Sequence, residues 1–318
     1  MVALIWYYIF YFKKRKRGYA FVVIYIIVVV IQGYKAAPYT PLGKYQVLSV
    51  TEDKGKDDTT FVSLLISNVL QTNADHYKLV EEINRYQPDV LLTTETDTVW
   101  QKALQSVEKQ FPYRVAIPLS NTYGMHLYSR LPLLDTKVRY LVEPDIPSIR
   151  TKLKLRSGEI VYLFTVHPRP PVPGESSDSR ERDAEIIMVG KEAREFTKGV
   201  IVAGDFNDVA WSETTELFQE VTGYLDPRRG RGFYNTFHAK YPIFRWPLDH
   251  VFISSHWKLV EMERGKHIGS DHFPVFIKLS YEPEEKAEQP KVKPDSNTEN
   301  EANETIQDGK NDTDAPGE

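Results

Sequence analysis

The chain has no cysteine in its 318 residues, which excludes disulfides, zinc–thiolate sites and thiol nucleophiles and leaves the redox compartment open. It also lacks a basic surplus. The formal net charge is −4 and is unevenly spread: Lys13–Arg17 contributes +5, and the stretch from Glu282 to Glu318 carries twelve acids and four lysines. Residues 18–281 are left at about −1, so the body has no general field to draw in a large duplex, although a local basic groove is not excluded. No internal repeat is present. At 41% hydrophobic and 26% charged residues the composition is that of a globular protein, and the length allows one large or two ordinary domains.

One long uncharged run stands out. Met1–Phe12 is apolar and aromatic, the basic block Lys13–Arg17 follows, and Gly18–Tyr34 then carries no charge. Seventeen such residues exceed a usual strand and reach the lower end of a spanning helix, roughly 17–25 residues. A signal peptide fits poorly, because no small-x-small cleavage site follows and Tyr34 and Lys35 stand where it would be. The expectation is a membrane anchor over residues 1–34 whose basic block lies on the cytoplasmic side, placing the rest of the chain outside the cytoplasm. Residues 35–44, with Pro38, Pro41 and Gly43, read as a linker. Residues 45–281 form the soluble domain, and 282–318 read as a disordered acidic tail.

Within the domain the chain is organised around Val200–Ala203, a short β-branched apolar run ended by Gly204 and followed by Asp205-Phe206-Asn207-Asp208. Asp205 and Asn207, two apart, would leave the same edge of an extended segment; the plainer possibility is an Asx turn closing a strand. Other strands are expected at Phe61–Asn68, Asp89–Glu95, Tyr123–Ser129, Ile149–Leu155, Ile160–His167, Leu248–Ile253 and Val275–Leu279. Helices are expected at Asp75–Tyr86, Thr98–Lys109 and Ser179–Phe196. Alternation of this kind argues an α/β or α+β domain with its site at strand ends.

Polar residues recur where apolar strands stop: Asn68, Glu95, His167, Asp205, Asn207, Asp249, Asp271 and His272. Such groups are costly to bury unpaired, so this pattern is a poor way to stabilise a fold. Chemically it suits hydrolysis of a phosphoester. Glu95, with Asn68 and Asp271, offers hard oxygen ligands for Mg²⁺, with Mn²⁺ as an alternative. Asp205 could position or deprotonate a water, and Asn207 and His167 could donate to phosphoryl oxygens. His272 paired with Asp249 would be an oriented imidazole, as a base or as a cation.

Taken in order, Asn68, Glu95, Gly124–Arg130, Gly204-Asp205-Phe206-Asn207, Leu248-Asp249-His250 and Ser270-Asp271-His272-Phe273-Pro274 resemble the endonuclease/exonuclease/phosphatase superfamily over about Tyr45–Tyr281. The resemblance implies an α+β fold, a four-layer α/β/β/α sandwich of two mixed sheets flanked by helices, with a Mg²⁺-dependent site at one rim. It also implies the roles given above. Leu70 stands where the DNA-repair members carry an acid, and Val166-His167-Pro168 where they carry a tyrosine motif. The histidine version looks more like pancreatic-type deoxyribonucleases and sphingomyelinase-like phosphodiesterases. His167-Pro168-Arg169-Pro170-Pro171 after an anchor resembles a membrane-anchored bacterial branch. The implied substrate is a phosphodiester, nucleic acid or phospholipid; no protein partner is inferred. A phosphomonoesterase acting on a sugar or inositol phosphate, and a silent binding module on the same fold, are the competing functions.

Further features read less directly. Arg150, opening a strand, could reach a phosphate or make a surface ion pair. Arg228, Arg229 and Arg231 read as a solvated loop, with guidance of an anionic substrate as the alternative. Phe244-Arg245-Trp246 could stack a base, dip into lipid headgroups or pack on a neighbouring loop. His126 reads as a core histidine with its hydrogen bond satisfied, and His250 should point away from the site because it follows Asp249 directly.

Overall fold

The structure is a computed structural model, and it describes residues 16–50, 58–172, 176 and 178–313. Among the described residues, eleven strands form two mixed sheets. In chain order they are β1 Phe61–Asn68, β2 Val90–Thr94, β3 Tyr113–Ile117, β4 Met125–Ser129, β5 Leu133–Arg139, β6 Ser148–Lys154, β7 Ile160–Val166, β8 Val200–Asp205, β9 Asp249–Ile253, β10 Trp257–Arg264 and β11 Val275–Tyr281. One sheet runs β10-β11-β1-β2-β4-β3 and the other β5-β6-β7-β8-β9. The helices are α1 Lys16–Ala36, α2 His76–Tyr86, α3 Thr98–Ala103, α4 Arg180–Ala193, α5 Glu213–Thr222 and α6 Thr298–Thr313.

Alternation along each strand builds the layers. Val62, Leu64 and Ile66 of β1 meet Ile201 and Ala203 of β8 in the core between the sheets. Leu65, one residue out of phase, joins Leu79 and Ile83 of α2 and Trp100 of α3 on the outer face. Val200 and Val202 of β8 likewise turn outward onto Ile186 and Ile187 of α4 and Phe218 of α5. Strands covered on both faces must be apolar at every position, which is why the central strands read as unbroken runs. The four-layer sandwich of two mixed sheets flanked by helices is therefore the observed fold.

Two parallel pairs fix where the site lies. β1 pairs β2 with Asn68 opposite Thr94, and β7 pairs β8 with Val166 opposite Gly204. α2 and α4 make the crossovers, so both pairs end at the same rim. β9 runs antiparallel to β8 and sets Asp249 opposite Asp205. Gly204 lies inside β8 rather than ending it as expected. Its φ is +150°, and a Cβ there would stand 2.0 Å from the Val166 carbonyl oxygen. Glycine thus lets β7 and β8 close up beneath the site.

α5 was not expected, and the helix expected over Thr98–Lys109 is an α-helix only to Ala103; the other departures from the sequence reading lie at the edges. β3, β5 and β10 were not expected; all three are edge strands with exposed or half-exposed positions, so they carry no long apolar run. The tail read as disordered instead carries α6, with Ala302 buried and Ile306 half-buried against the α4–α5 layer; residues 314–318 lie outside the described residues. The helix is tied by Thr298 Oγ1 donating to Glu220 Oε2 (2.7 Å) and Lys191 Nζ donating to Asn303 Oδ1 (2.6 Å). The linker is also docked: Tyr39 is buried, its hydroxyl donates to the Ala210 carbonyl, and the Pro38 carbonyl accepts from Gly230 N at 2.8 Å.

α1 is apolar, and residues Phe21–Tyr39 are long and apolar enough to cross a membrane by length and composition. Met1–Phe12 and Lys13–Arg15 lie outside the described residues.

Candidate active site

The site gathers at the shared rim around one atom, Asp205 Oδ2. Asn68 Nδ2 donates to it at 3.0 Å, His272 Nε2 lies at 3.6 Å and His167 Nε2 at 3.8 Å. The other carboxylate oxygen, Oδ1, accepts from Asn207 N at 2.9 Å. Asp205 therefore closes an Asx turn with one oxygen and turns the other toward Asn68, whereas Asn207 is not in an extended segment as the first reading had it, its φ being +50°. Burial pushes the Asp205 pKa up, against the pull of His272.

Asn68 bridges two carboxylates, because Nδ2 also donates to Glu95 Oε1 at 2.7 Å; its Oδ1 accepts from Leu70 N. Glu95 sits one residue past β2 with φ +60°, and its Oε2 accepts from Gln71 N at 3.3 Å. Burial, and then the charge of Asp271, carry Glu95 up to about 7, while Asn68, His272 and Gln71 oppose the shift. Asp271 is half-buried, and its charge acts on both Glu95 and His272.

His272 Nδ1 and Asp249 Oδ2 are 2.8 Å apart. Burial works to lower the His272 pKa, but Asp205 and Asp249 outweigh it and raise it to about 10. Burial lowers that of His167 instead, leaving it neutral, with its Nδ1 buried and unpartnered. Asn207 takes φ +50°, and its Nδ2 donates to the Pro168 carbonyl at 3.0 Å.

The donors fit a divalent cation. Glu95, Asp205, Asp249 and Asp271 converge, yet among the described residues no lysine or arginine forms an ion pair with any of them; Asp205 and Asp249 have only histidine counterions. Asp249 Oδ1 is buried without a partner among the described residues, and ligand atoms of Asp205, Asp249 and His272 lie within 4.8 Å of one another. The carboxylates of Glu95 and Asp271 offer oxygens, which suit a hard cation better than a set containing an imidazole already bonded through Nδ1; Asn68 presents Nδ2 to Glu95 and would offer Oδ1 only on turning its amide away from Leu70 N.

The model of the Endonuclease/Exonuclease/phosphatase family matches residues 66–272. The chain belongs to this family. Solved structures with the same fold include TDP2 of D. rerio complexed with a single-strand DNA product, at 17% identity and TM-score 0.59, covering 70% of this chain and 99% of that one. The human Nocturnin catalytic domain with bound sulfate aligns at 17% identity and TM-score 0.56, covering 70% and 95%. The endonuclease/exonuclease/phosphatase of Beutenbergia cavernae DSM 12333 aligns at 16% identity and TM-score 0.56, covering 70% and 72%. At these identities the likeness is one of fold. No curated protein sequence matches.

Set on the endonuclease/exonuclease/phosphatase fold, two sequence readings change. Arg150 is not brought to the rim: it pairs in register with Phe164, whose face packs on α4, and its Nη1 donates to Glu192 Oε1 at 2.6 Å. Arg228 is no solvated residue. It is fully buried, paired with Asp226 (Nη2–Oδ2 2.6 Å), and donates to the Asp249 carbonyl and to His250 Nδ1. His250 therefore points away from the site, as expected. His126 is buried with Nδ1 3.2 Å from the Tyr128 hydroxyl, while its Nε2 has no partner.

Three supporting residues escaped the sequence reading. Thr236 Oγ1 accepts from the backbone N–H of Leu248 and Asp249, both at 3.2 Å. Ser270 Oγ donates to the Asn68 carbonyl and accepts from His272 N, joining β1 to the Asp271-His272 turn. Arg182 Nη1 donates to the Asn207 carbonyl at 2.8 Å. Only Ser270 had a signal, its place beside Asp271-His272.

Proposed function

We propose that this protein is a metal-dependent phosphodiester hydrolase held at a membrane by α1, with its catalytic domain outside the cytoplasm. The observation that carries the reading is the convergence on Asp205 Oδ2 of Asn68, His167 and His272, with Glu95 bridged to the same atom through Asn68. Glu95, Asn68 and Asp271 would hold Mg²⁺ or Mn²⁺, which when bound neutralises phosphate charge and stabilises the leaving oxygen.

The protein's own groups divide the remaining work. Asp205, its pKa raised by burial, suits the task of orienting a water and taking its proton. His272 keeps its proton well above neutrality, which supports a cationic role at the phosphoryl oxygens rather than that of a base. Neutral His167 and the Asn207 amide are donors to the same oxygens. Asp249 holds the His272 ring in place.

The test is hydrolysis of bis-p-nitrophenyl phosphate and of the monoester by the full chain in detergent, with Mg²⁺, Mn²⁺ or EDTA. Asp205→Asn is the matched variant. Metal-dependent diester cleavage lost in the variant is expected. Preference for the monoester would move the assignment to a phosphomonoesterase, and metal-independent silence on both esters would point to a binding module. A phosphatase reporter fused after Tyr45 tests the side of the membrane.

A further inference from the structure

The turn that carries Phe244-Arg245-Trp246 joins the site without taking part in it. Its base is fixed: Thr236 N and Phe237 N both donate to the Trp246 carbonyl at 3.0 Å, Phe237 lies 5.0 Å from the His272 ring, and Ala239 N donates to the Asp271 carbonyl at 2.6 Å. Its tip is bare. Tyr241, Ile243, Phe244 and Trp246 are 57%, 85%, 61% and 39% exposed, and exposed Lys240 stands beside them. Apolar groups clustered over six residues, with aromatic side chains and a cation at their border, make a surface that lacks its partner.

The partner is indicated by where α1 leaves the domain. Lys35 Nζ pairs with Glu213 Oε1 at 3.3 Å, and Gln32 and Lys35 line a cavity of about 320 Å³ with Arg182, Val209 and Trp211, residues that flank the Asn207 turn. Tyr39 packs on Trp211 (6.1 Å), and Trp211 on Phe233 (5.5 Å), which opens the segment leading to the bare turn. Phe21–Ile31 extends from this end with its apolar side chains exposed. The helix therefore departs from the rim that bears the site and the turn.

We propose that the 240–246 turn seats in the headgroup–acyl boundary of the bilayer that α1 crosses, so that the site opens onto phospholipid headgroups. This rests on the reading of α1 as an anchor. Tyr and Trp favour that boundary, and Lys240 there would meet lipid phosphates.

The absence of cysteine allows a direct test. The full chain carrying Ile243→Cys or, as the control, Ser157→Cys is labelled with a nitrobenzoxadiazole fluorophore and reconstituted in phosphatidylcholine–phosphatidylglycerol vesicles with or without doxyl-labelled lipid. Ser157 is exposed in the turn between β6 and β7, at the end of that sheet away from the rim. A blue shift and doxyl quenching at 243, with neither at 157, is the expected result. A water-like, unquenched probe at 243 overturns the proposal, as does equal quenching at both sites. A probe that ignores lipid but shifts with a single-stranded oligonucleotide would mark a base-stacking surface instead. Failure of the chain to float with vesicles overturns the proposal through its anchor. Diester turnover by the unlabelled chain is scored separately, so loss of the hydrolase assignment is told apart from loss of the membrane contact.

Discussion

His272 Nδ1 sits 2.8 Å from Asp249 Oδ2, and this contact is a main reason that a wholly buried imidazole keeps its proton. In Asp249→Asn the charge is removed while the shape is kept, so burial, which lowers the histidine pKa, is opposed chiefly by Asp205. Asp205 still raises it, so the His272 pKa should fall below about 10 without losing the whole of its upward shift, as read by NMR of the labelled ring. Diester turnover should drop about 10²–10⁴-fold in kcat with less change in KM, the usual range for removal of a positioned proton-transfer or charge-stabilising group.

Glu95 makes metal binding a function of pH. Its pKa of about 7 means that below neutrality a cation must displace a proton, so Mg²⁺ affinity should fall by about tenfold per pH unit beneath that value. The sign for stability is opposite to that of an ordinary salt-bridged carboxylate. Between 4.5 and about 7 the folded state holds a proton that the unfolded state has released, so Glu95 favours folding at low pH and that contribution is lost as pH rises through 7. Mg²⁺ should restore it above pH 7. Calorimetric titration and thermal unfolding from pH 5 to 8, with Glu95→Gln as a variant that loses the Glu95 part of each dependence, check both statements.

Asn68, Glu95, His167 and Asp205 were legible in the sequence because a polar residue that stops an apolar run is visible and parallel pairs carry such stops to one rim. Asp249 instead opens β9 and the Asp271-His272 turn precedes β11, strands whose antiparallel pairing brings their starts to that rim. Arg150 was not legible, because its face depends on register with Phe164, and a strand residue has equal claim to either face until its partner is known. The edge strands β3, β5 and β10 hid for a related reason: a strand with an open edge and exposed positions needs no continuous apolar signal. α6 hid because its contact is narrow, Ala302 and Ile306 set among charged residues whose partners, such as Arg194 with Glu299, lie far along the chain.

Arg228 is the clearest case of a charge misread by composition, and it yields a stability prediction. Its guanidinium is held by Asp226 on both sides, through Nε to Oδ1 and Nη2 to Oδ2, with neither group exposed. Arg228→Leu would leave Asp226 buried without its counterion, costing about 3–5 kcal/mol in urea unfolding. Replacing both, as Asp226→Asn with Arg228→Leu, should recover part of that loss, since the cost lies chiefly in the uncompensated charge. Equal destabilisation of the single and double variants would count against the pair as the cause.

Tyr39 shows that the segment between anchor and domain belongs to the fold. The ring is buried beneath Arg228 and Arg229, at 5.8 and 5.3 Å from its centroid, and the hydroxyl donates to the Ala210 carbonyl five residues beyond Asp205. Burial raises its pKa to about 12, so the hydroxyl stays a donor across the working range. Tyr39→Ala removes the aromatic volume and leaves the Ala210 carbonyl unpaired, and should cost about 3–5 kcal/mol. Tyr39→Phe keeps the ring but also leaves the buried Ala210 carbonyl unpaired, and should cost about 1–3 kcal/mol. Because Arg228 also donates to the Asp249 carbonyl, the alanine variant should lower diester turnover as well as the unfolding midpoint, whereas the phenylalanine variant should move the midpoint alone. A chain begun at residue 45 lacks this anchor point and should behave as Tyr39→Ala does; stability equal to that of the full chain would place Tyr39 outside the cooperative unit.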